Sequence, residues 1–321
     1  MPRSISLDTI KSATSRIYDV ATRTPVVRLD PITRDGPEIF LKLEVLQPIG
    51  SFKIRGAMNA VAKLPAGAAR DGVWTVSAGN AAQGVALAAR EAGAKASVLV
   101  MDTAPATKLA AIERLGATIV QATYDECWKA VETHQSARMT GRFVHPFDDD
   151  DFISGNGTAG LEILEDVPDV DAIIAPLGGG GLLAGVGCAV KALKPGVRVY
   201  AAEPETAAPL SVSFAAGQPL RFEGWTASFV DGAGGKSVLP SMWPLLQQWV
   251  DESIVVSLEQ AAQAMKMAAM RCHVIAEGAA ACAVAAALTP AIRERHRRVV
   301  AIVSGGNIDL SRFASLVGAC S

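Results

Sequence analysis

Positive charge, histidine and cysteine are all scarce in this chain, and each scarcity removes a class of function. With 30 Lys and Arg against 32 Asp and Glu, the formal net charge is -2, which leaves no basic surface for nucleic acid or anionic lipid. The longest basic cluster is the short run 293–298. The four histidines, His134, His145, His273 and His296, form no His-x-x-x-His pair, and Cys272-His273 is an isolated couple, so no metal site is expected. The five cysteines, Cys127, Cys188, Cys272, Cys282 and Cys320, are scattered, odd in number and never spaced Cys-x-x-Cys. They read as reduced thiols. With no apolar core of a secretory signal at the N-terminus, a cytoplasmic location is expected. The uncharged stretch 172–190 is nearly long enough to span a bilayer, but Pro176 and the consecutive glycines Gly178 to Gly181 break it into strand, loop and helix start. The expected partner is a small molecule, neither nucleic acid nor membrane.

What is abundant is Ala, Val, Leu and Gly. Hydrophobic residues make up 50% of the 321 positions and aromatics only 5%, a texture suited to a helix-rich α/β protein of about two lobes. Apolar spacing predicts a helix over 6–20, stopped by Thr24-Pro25, then extended runs over 26–29 and 39–45 and a helix over 57–64. From Gly72 the alternation is strict. Strands at 73–77, 97–101, 118–122 and 143–145 are separated by helices at 81–92, 106–115 and 125–138. The acidic run Asp148 to Asp151 reads as a solvated hinge or helix cap. A second set follows: helix 154–165, strand 172–177, helix 182–193 and strand 197–202. Beyond a less regular middle, 204–249, helices near 258–272 and 279–288 precede a last strand at 298–304. Such alternation makes parallel sheets wrapped by helices. The fold class is therefore α/β, two doubly wound lobes with mainly parallel sheets. The larger domain comprises 1–70 and 148–321, and the chain makes one excursion, 71–147, into the smaller.

The stretch Gln47 to Gly56 interrupts both periodicities and places Lys53 where a loop enters a helix, between Phe52 and Ile54. A lone lysine there is commonly a snorkelling stem. Burial instead frees the amine to form a Schiff base with an aldehyde. Other loops add to this. Ser77-Ala78-Gly79-Asn80 offers free backbone N–H groups at a helix start, although Asn80 also suits a plain N-cap. Gly178 to Gly181, between strand and helix, reads as a phosphate cradle. Gly179-x-Gly181-x-x-Ala184 with Glu203 also fits a dinucleotide fingerprint, which keeps a nicotinamide-dependent oxidoreductase open. Gly232 to Ser237 resembles the end of a P-loop but has Val230 where its first glycine belongs. Ser304-Gly305-Gly306-Asn307 presents a hydroxyl at the end of the last strand. A lysine amine, a loop for a phenolate oxygen, a glycine cradle for one phosphate and a hydroxyl for a ring nitrogen together match pyridoxal 5'-phosphate. A dinucleotide leaves Lys53 and Ser304 without a task, and a non-catalytic amino-acid-binding protein leaves Lys53 unexplained.

The motifs Ser51-Phe52-Lys53-Ile54-Arg55-Gly56-Ala57, Ser77 to Asn80, His145-Pro146-Phe147-Asp148-Asp149, Gly178 to Gly181, Asp231-Gly232 and Ser304 to Asn307 run in one order along nearly the whole chain. They resemble the serine/threonine dehydratase group of fold-type II pyridoxal-phosphate enzymes, whose fold is like that of the tryptophan synthase β chain. The resemblance implies that the larger domain binds the cofactor and the smaller one caps the substrate. It implies that Lys53 is catalytic and carries the cofactor, Phe52 and Gly232 pack on its faces, and Asn80 contacts the ring oxygen. Gly178, Gly179, Gly180 and Gly181 are then the phosphate site, Ser304 meets the pyridine nitrogen with Glu277 nearby, and Ser77, Ala78, Gly79, Asn80 and Ala81 receive the substrate. Homodimers are common in the group.

The implied reaction is α,β-elimination from an L-β-hydroxy amino acid of the threonine or serine type, giving a 2-oxo acid and ammonia. Racemisation or β-replacement on the same cofactor are the alternatives. Departures from the family pattern narrow this. Ala81 stands where the family commonly has histidine, which enlarges the pocket toward substrates bulkier than threonine, such as 3-phenylserine. Pro209 stands where cation-activated relatives have an acid, so a family-type metal site is not expected. The chain runs only a short way past Asn307, so no regulatory domain like that of biosynthetic threonine dehydratases is expected. Relatives that racemise serine usually carry a hydroxyl at the position of Ala78. Incubation with an L-substrate should therefore yield keto acid with little D-isomer, and substantial D-isomer on chiral chromatography would refute this.

Overall fold

The computed structural model describes residues 3–30, 36–65 and 67–320. Met1, Pro2 and Ser321, at the ends of the expected larger domain, lie outside the described residues. Helix α1 (Leu7–Ile17) opens on a reciprocal cap: Ser6 Oγ accepts the Thr9 N–H at 3.2 Å, and Thr9 Oγ1 accepts the Ser6 N–H at 3.0 Å. Strands β1 (Val26–Arg28) and β2 (Glu38–Leu43) pair antiparallel, with Val27 opposite Leu41. One helical turn then leads to α2 (Lys53–Ala62).

The next segment runs β3 (Val73–Val76), α3 (Asn80–Glu91), β4 (Ala96–Met101), α4 (Ala106–Glu113), β5 (Thr118–Ala122), α5 (Tyr124–Thr133) and β6 (Arg142–Phe143). Its strands form a parallel sheet in the order β5-β4-β3-β6. Because strand side chains alternate, Val73, Val98 and Val100 pack with α2 and α3, while Trp74, Val76 and Leu99 pack with α5.

The remainder begins with α6 (Asp150–Asp166), β7 (Ala172–Pro176), α7 (Gly181–Leu193), β8 (Arg198–Pro204) and α8 (Pro209–Ala216). It continues with α9 (Trp243–Trp249), β9 (Glu252–Val256), α10 (Leu258–Cys272), α11 (Gly278–Ala287), α12 (Pro290–Arg293), β10 (Arg298–Val303) and α13 (Leu310–Gly318). The six-stranded sheet has the order β1-β2-β10-β7-β8-β9 and is parallel apart from β1. Val299, Ala301 and Val303 of its central strand face α10 and α11, and Val300 and Ile302 face α6 and α7. Helices thus cover both faces of both sheets, as the alternation predicts. Among the described residues no helix is long and apolar enough to cross a membrane.

Several expected boundaries move. Helix α2 starts at Lys53 rather than at 57, and Gly56 continues it as the contact with α6: a Cβ there would lie 2.3 Å from the Phe152 ring. Helix α6 starts at Asp150 rather than at 154. Asp149 accepts the Phe152 N–H at 2.8 Å, and Asp150 and Asp151 fill the first turn, where the helix dipole favours acids. The acidic run is therefore a helix cap, with Asp148 and Asp150 also paired to Arg3. Helix α5 ends at Thr133 rather than at 138 because His134 turns left-handed, with φ of 59°. Strand β6 spans Arg142–Phe143 instead of 143–145. Helices α8 and α9 occupy the stretch read as irregular, and β9 and α13 lie in stretches assigned to no element.

A buried network of charges joins these parts. The Arg55 side chain in α2 donates to Glu44 Oε2 at 2.7 Å and to Glu162 Oε1 of α6 at 2.6 Å. Lys42 of β2 donates to Glu162 Oε2 at 2.5 Å, and the Tyr18 hydroxyl to Oε1 at 2.5 Å. Arg55, Lys42 and Glu44 are fully buried. Burial raises the Glu162 carboxyl, but Arg55 and Lys42 outweigh it and hold the group below its ordinary range. Arg55→Met leaves buried Glu44 without its cation and Glu162 with Lys42 alone, so urea unfolding should show a loss of about 3–5 kcal/mol. A loss below about 1 kcal/mol would refute the structural role given to this network.

Candidate active site

The parallel strands of both sheets end facing one space, the position at which open α/β sheets bind ligands. Strand β2 leads through Gly50 and Ser51 to Lys53 at the first position of α2. The loop is fastened to the end of β10: the Phe52 N–H donates to the Ser304 carbonyl at 3.0 Å, and the Gly306 N–H to the Gly50 carbonyl at 2.9 Å. The Lys53 amine donates to the Pro146 carbonyl at 2.5 Å and stands 5.2 Å from the Phe52 ring centre and 5.4 Å from that of Phe152. Burial pushes this amine down to about 8, against the attraction of Glu277.

Pro146 belongs to a turn that His145 organises. Its Nδ1 accepts the N–H groups of Phe147 at 3.2 Å and Asp148 at 2.7 Å, which places the proton of the neutral ring on Nε2. Burial keeps the imidazole uncharged, pushing it down to about 3.

The glycine run connects β7 to α7, with Gly180 in the left-handed region at φ of 90°. A Cβ on Gly179 would lie 2.1 Å from the Phe147 ring, and one on Gly178 2.6 Å from the Gly232 carbonyl oxygen. Side chains are excluded, so the backbone of the run and the start of α7 line the cavity directly, where free N–H groups of a helix start favour an anion. At the end of β3, Gly79 rather than Asn80 is the N-cap of α3. The Asn80 side chain instead donates from Nδ2 to Glu277 Oε1 at 2.9 Å and accepts from Asn307 Nδ2 at 2.8 Å. Burial and the nearby Asp231 push Glu277 up to about 7.

Phe52, Lys53, Ser77, Ala78, Gly79, Asn80, Ala81, Gly178, Gly179, Gly180, Gly181, Gly232, Glu277 and Ser304 all line one cavity of about 430 Å³. The residues that the resemblance assigns to the cofactor and substrate are thus brought together there. An amine, a cradle that a Cβ would fill and a buried hydroxyl at Ser304 fit pyridoxal phosphate. The competing readings fare worse. Glu203 accepts the N–H groups of Leu210 and Ser211, each at 2.8 Å, and the Ser253 hydroxyl at 2.5 Å, so it caps α8 and does not line the cavity. Lys236 lies over the Tyr124 and Trp225 rings, 4.5 and 4.3 Å from their centres, and serves no phosphate loop.

Sequence reasoning gave no role to Pro146, Phe147, Asn307 or Lys108, which line the same cavity. The first three stood in the quoted motifs. Lys108 had no local signal, because its partner Asp231 lies across the cavity on the other sheet's connections.

A family model described as pyridoxal-phosphate dependent enzyme matches residues 17–305. The chain belongs to this family. The L-threonine ammonia-lyase of Thermotoga maritima is 38% identical over 317 residues, covering 98% of this chain and 78% of that protein. The catabolic L-threonine dehydratase of Escherichia coli is 36% identical over 318 residues, covering 98% and 96%. Among solved structures, maize serine racemase superposes with a TM-score of 0.88 at 34% identity, covering 97% of this chain and 96% of that one. Within the pyridoxal-phosphate family the chain falls in the fold-type II serine/threonine dehydratase group, and its cofactor is pyridoxal 5'-phosphate.

The Lys53 environment sets a pH expectation for the cofactor-free protein. Burial disfavours the ammonium, so labelling of Lys53 by an amine-specific reagent should rise with a midpoint near 8, below the range of about 10.4 for free lysines. Glu277→Gln removes an attraction that favours the ammonium and should lower the midpoint further. Peptide mapping that gave Lys53 the midpoint of surface lysines would overturn this account.

Proposed function

We propose that this protein is a pyridoxal-phosphate-dependent dehydratase converting an L-β-hydroxy amino acid to a 2-oxo acid and ammonia by α,β-elimination. The observation that carries the reading is a desolvated Lys53 amine set in one cavity with an anion cradle and an amide-lined loop. Bound pyridoxal phosphate supplies an aldehyde for amines and a conjugated ring that accepts electrons from a breaking Cα–H bond. Lys53 holds the cofactor, and its uncharged amine later takes the substrate's Cα proton. Gly178 to Gly181 would hold the phosphate through backbone N–H groups, and Phe52 and Gly232, which line the same cavity, would pack against the ring. Ser304 would offer the ring nitrogen a neutral hydroxyl, which suits elimination better than transamination. Asn80 orients the ring oxygen and is itself held by Glu277 and Asn307. The N–H groups of the Ser77 to Ala81 loop take the substrate carboxylate.

Residues 71–147 act as the capping domain, and the Lys108–Asp231 ion pair joins that domain to the larger one. The buried Ala81 leaves room for a β-substituent larger than the threonine methyl, with 3-phenylserine as the example. Ala78 weighs against the racemase reading that the maize relative suggests. A cytoplasmic homodimer completes the proposal; the free state of all five cysteines supports the location.

The purified protein should be yellow, bleach on borohydride reduction and lose the band in Lys53→Ala. It should release keto acid from serine, threonine or 3-phenylserine. A protein that remains colourless after incubation with pyridoxal phosphate would sink the proposal.

A further inference from the structure

A second hollow abuts the active cavity. It measures about 180 Å³ and shares Val76, Ser77, Ala78 and Met101 with the active cavity. Its other walls come from β4 and α5, chiefly Leu99, Cys127, Trp128 and Val131. Leu99, Cys127 and Val131 are buried, and Ala78 adds no polar side-chain atom to a lining whose hydroxyls come from Ser77 and Tyr124. The size is decisive for the kind of group it admits. An enclosed apolar cavity of about 150 Å³ holds benzene; this hollow has a similar volume but is partly open to solvent, bordered by the exposed Tyr124, so it has room for a phenyl ring and offers little to a polar chain.

Trp128 is the distinctive wall. Its Nε1 donates to Glu132 at 2.8 Å, so the indole's polar edge is satisfied within α5. It also borders a smaller hollow of about 80 Å³ lined by Phe147, Gly178, Gly179 and Leu239. The indole therefore stands between the apolar annex and the glycine loop.

We propose that this annex receives the β-substituent of the substrate, that it selects an aryl or similarly bulky apolar group, and that Trp128 and Cys127 are its specificity-determining residues. The inference rests on the dehydratase reading. It goes beyond it by naming where the substituent sits: with the substrate carboxylate on the Ser77 to Ala81 loop, the annex opens beside the same residues. No new redox chemistry is required. Water lost in elimination is regained in hydrolysis of the imine, so 3-phenylserine gives phenylpyruvate and ammonia, atom for atom.

The test uses the cofactor-loaded enzyme with L-threonine, L-threo-3-phenylserine and L-phenylalanine, which carries the ring but no leaving group. L-phenylalanine should inhibit competitively and better than L-alanine. Cys127→Leu, which fills the annex, should lower kcat/KM for phenylserine relative to threonine by about 10-fold or more and weaken phenylalanine inhibition to match. Trp128→Ala, which removes the wall, should lower the same ratio. A crystal structure with L-phenylalanine should place the ring against Trp128 in the wild-type protein, a readout independent of either variant's folding. Threonine turnover with an unchanged ratio in both variants, or a bound ring directed out of the annex, would overturn the annex while leaving the dehydratase standing. No keto acid from either substrate by a fully loaded enzyme would overturn both.

Discussion

The site depends on a buried cation that takes no part in it. Arg55 sits two residues after Lys53 in α2 and is clamped between Glu44, just past the end of β2, and Glu162 of α6. A helix held at one end by packing alone can shift by fractions of an ångström. A guanidinium forked between two buried carboxylates cannot, since any shift leaves a charge without its partner in a medium that solvates charge poorly. The position of the Lys53 amine is inherited from that fork. The same two carboxylates also engage Lys42, Thr24 and Tyr18, so the first strands, α1, α2 and α6 meet at one electrostatic knot.

The reactive groups are treated in the opposite way. Among the described residues no carboxylate forms an ion pair with Lys53, and burial drives its amine toward the neutral form. Glu277, the nearest acid in influence, is itself desolvated, and its Oε1 accepts from Asn80. The structural charges are thus paired, whereas the Lys53 amine, the proposed catalytic group, has only the Pro146 carbonyl as its hydrogen-bond acceptor among the described residues. Between them the glycine loop contributes backbone dipoles, which attract an anion without adding a titratable group.

How much of this the sequence discloses follows from the range of each interaction. The β–α alternation is written in local periodicity, and the two parallel sheets follow it closely. The Gly178 to Gly181 run and Lys53 between Phe52 and Ile54 were legible because their backbone chemistry is local. Boundaries slipped where a tertiary contact overrode a residue's usual preference. Gly56 continues a helix because Phe152 leaves no space for a side chain, and the acidic run becomes a first turn because Asp149 caps it. Pro146 stood in a quoted motif without a role, because nothing near it in sequence reveals the amine 93 residues away from which its carbonyl accepts.

The sequence alone determined the fold class and the cofactor and singled out Lys53 as the lysine proposed to carry it, because strand-to-helix loops rich in glycine and one apolar-flanked lysine have few chemical uses together. Only the tertiary structure decided which groups keep that lysine in place and uncharged. It also decided that Asn80 answers to Glu277, 197 residues on, and that Trp128 and Ala78 border a common apolar space. Those facts depend on burial and on distances across the fold. Neither quantity is carried by the order of residues in a local window.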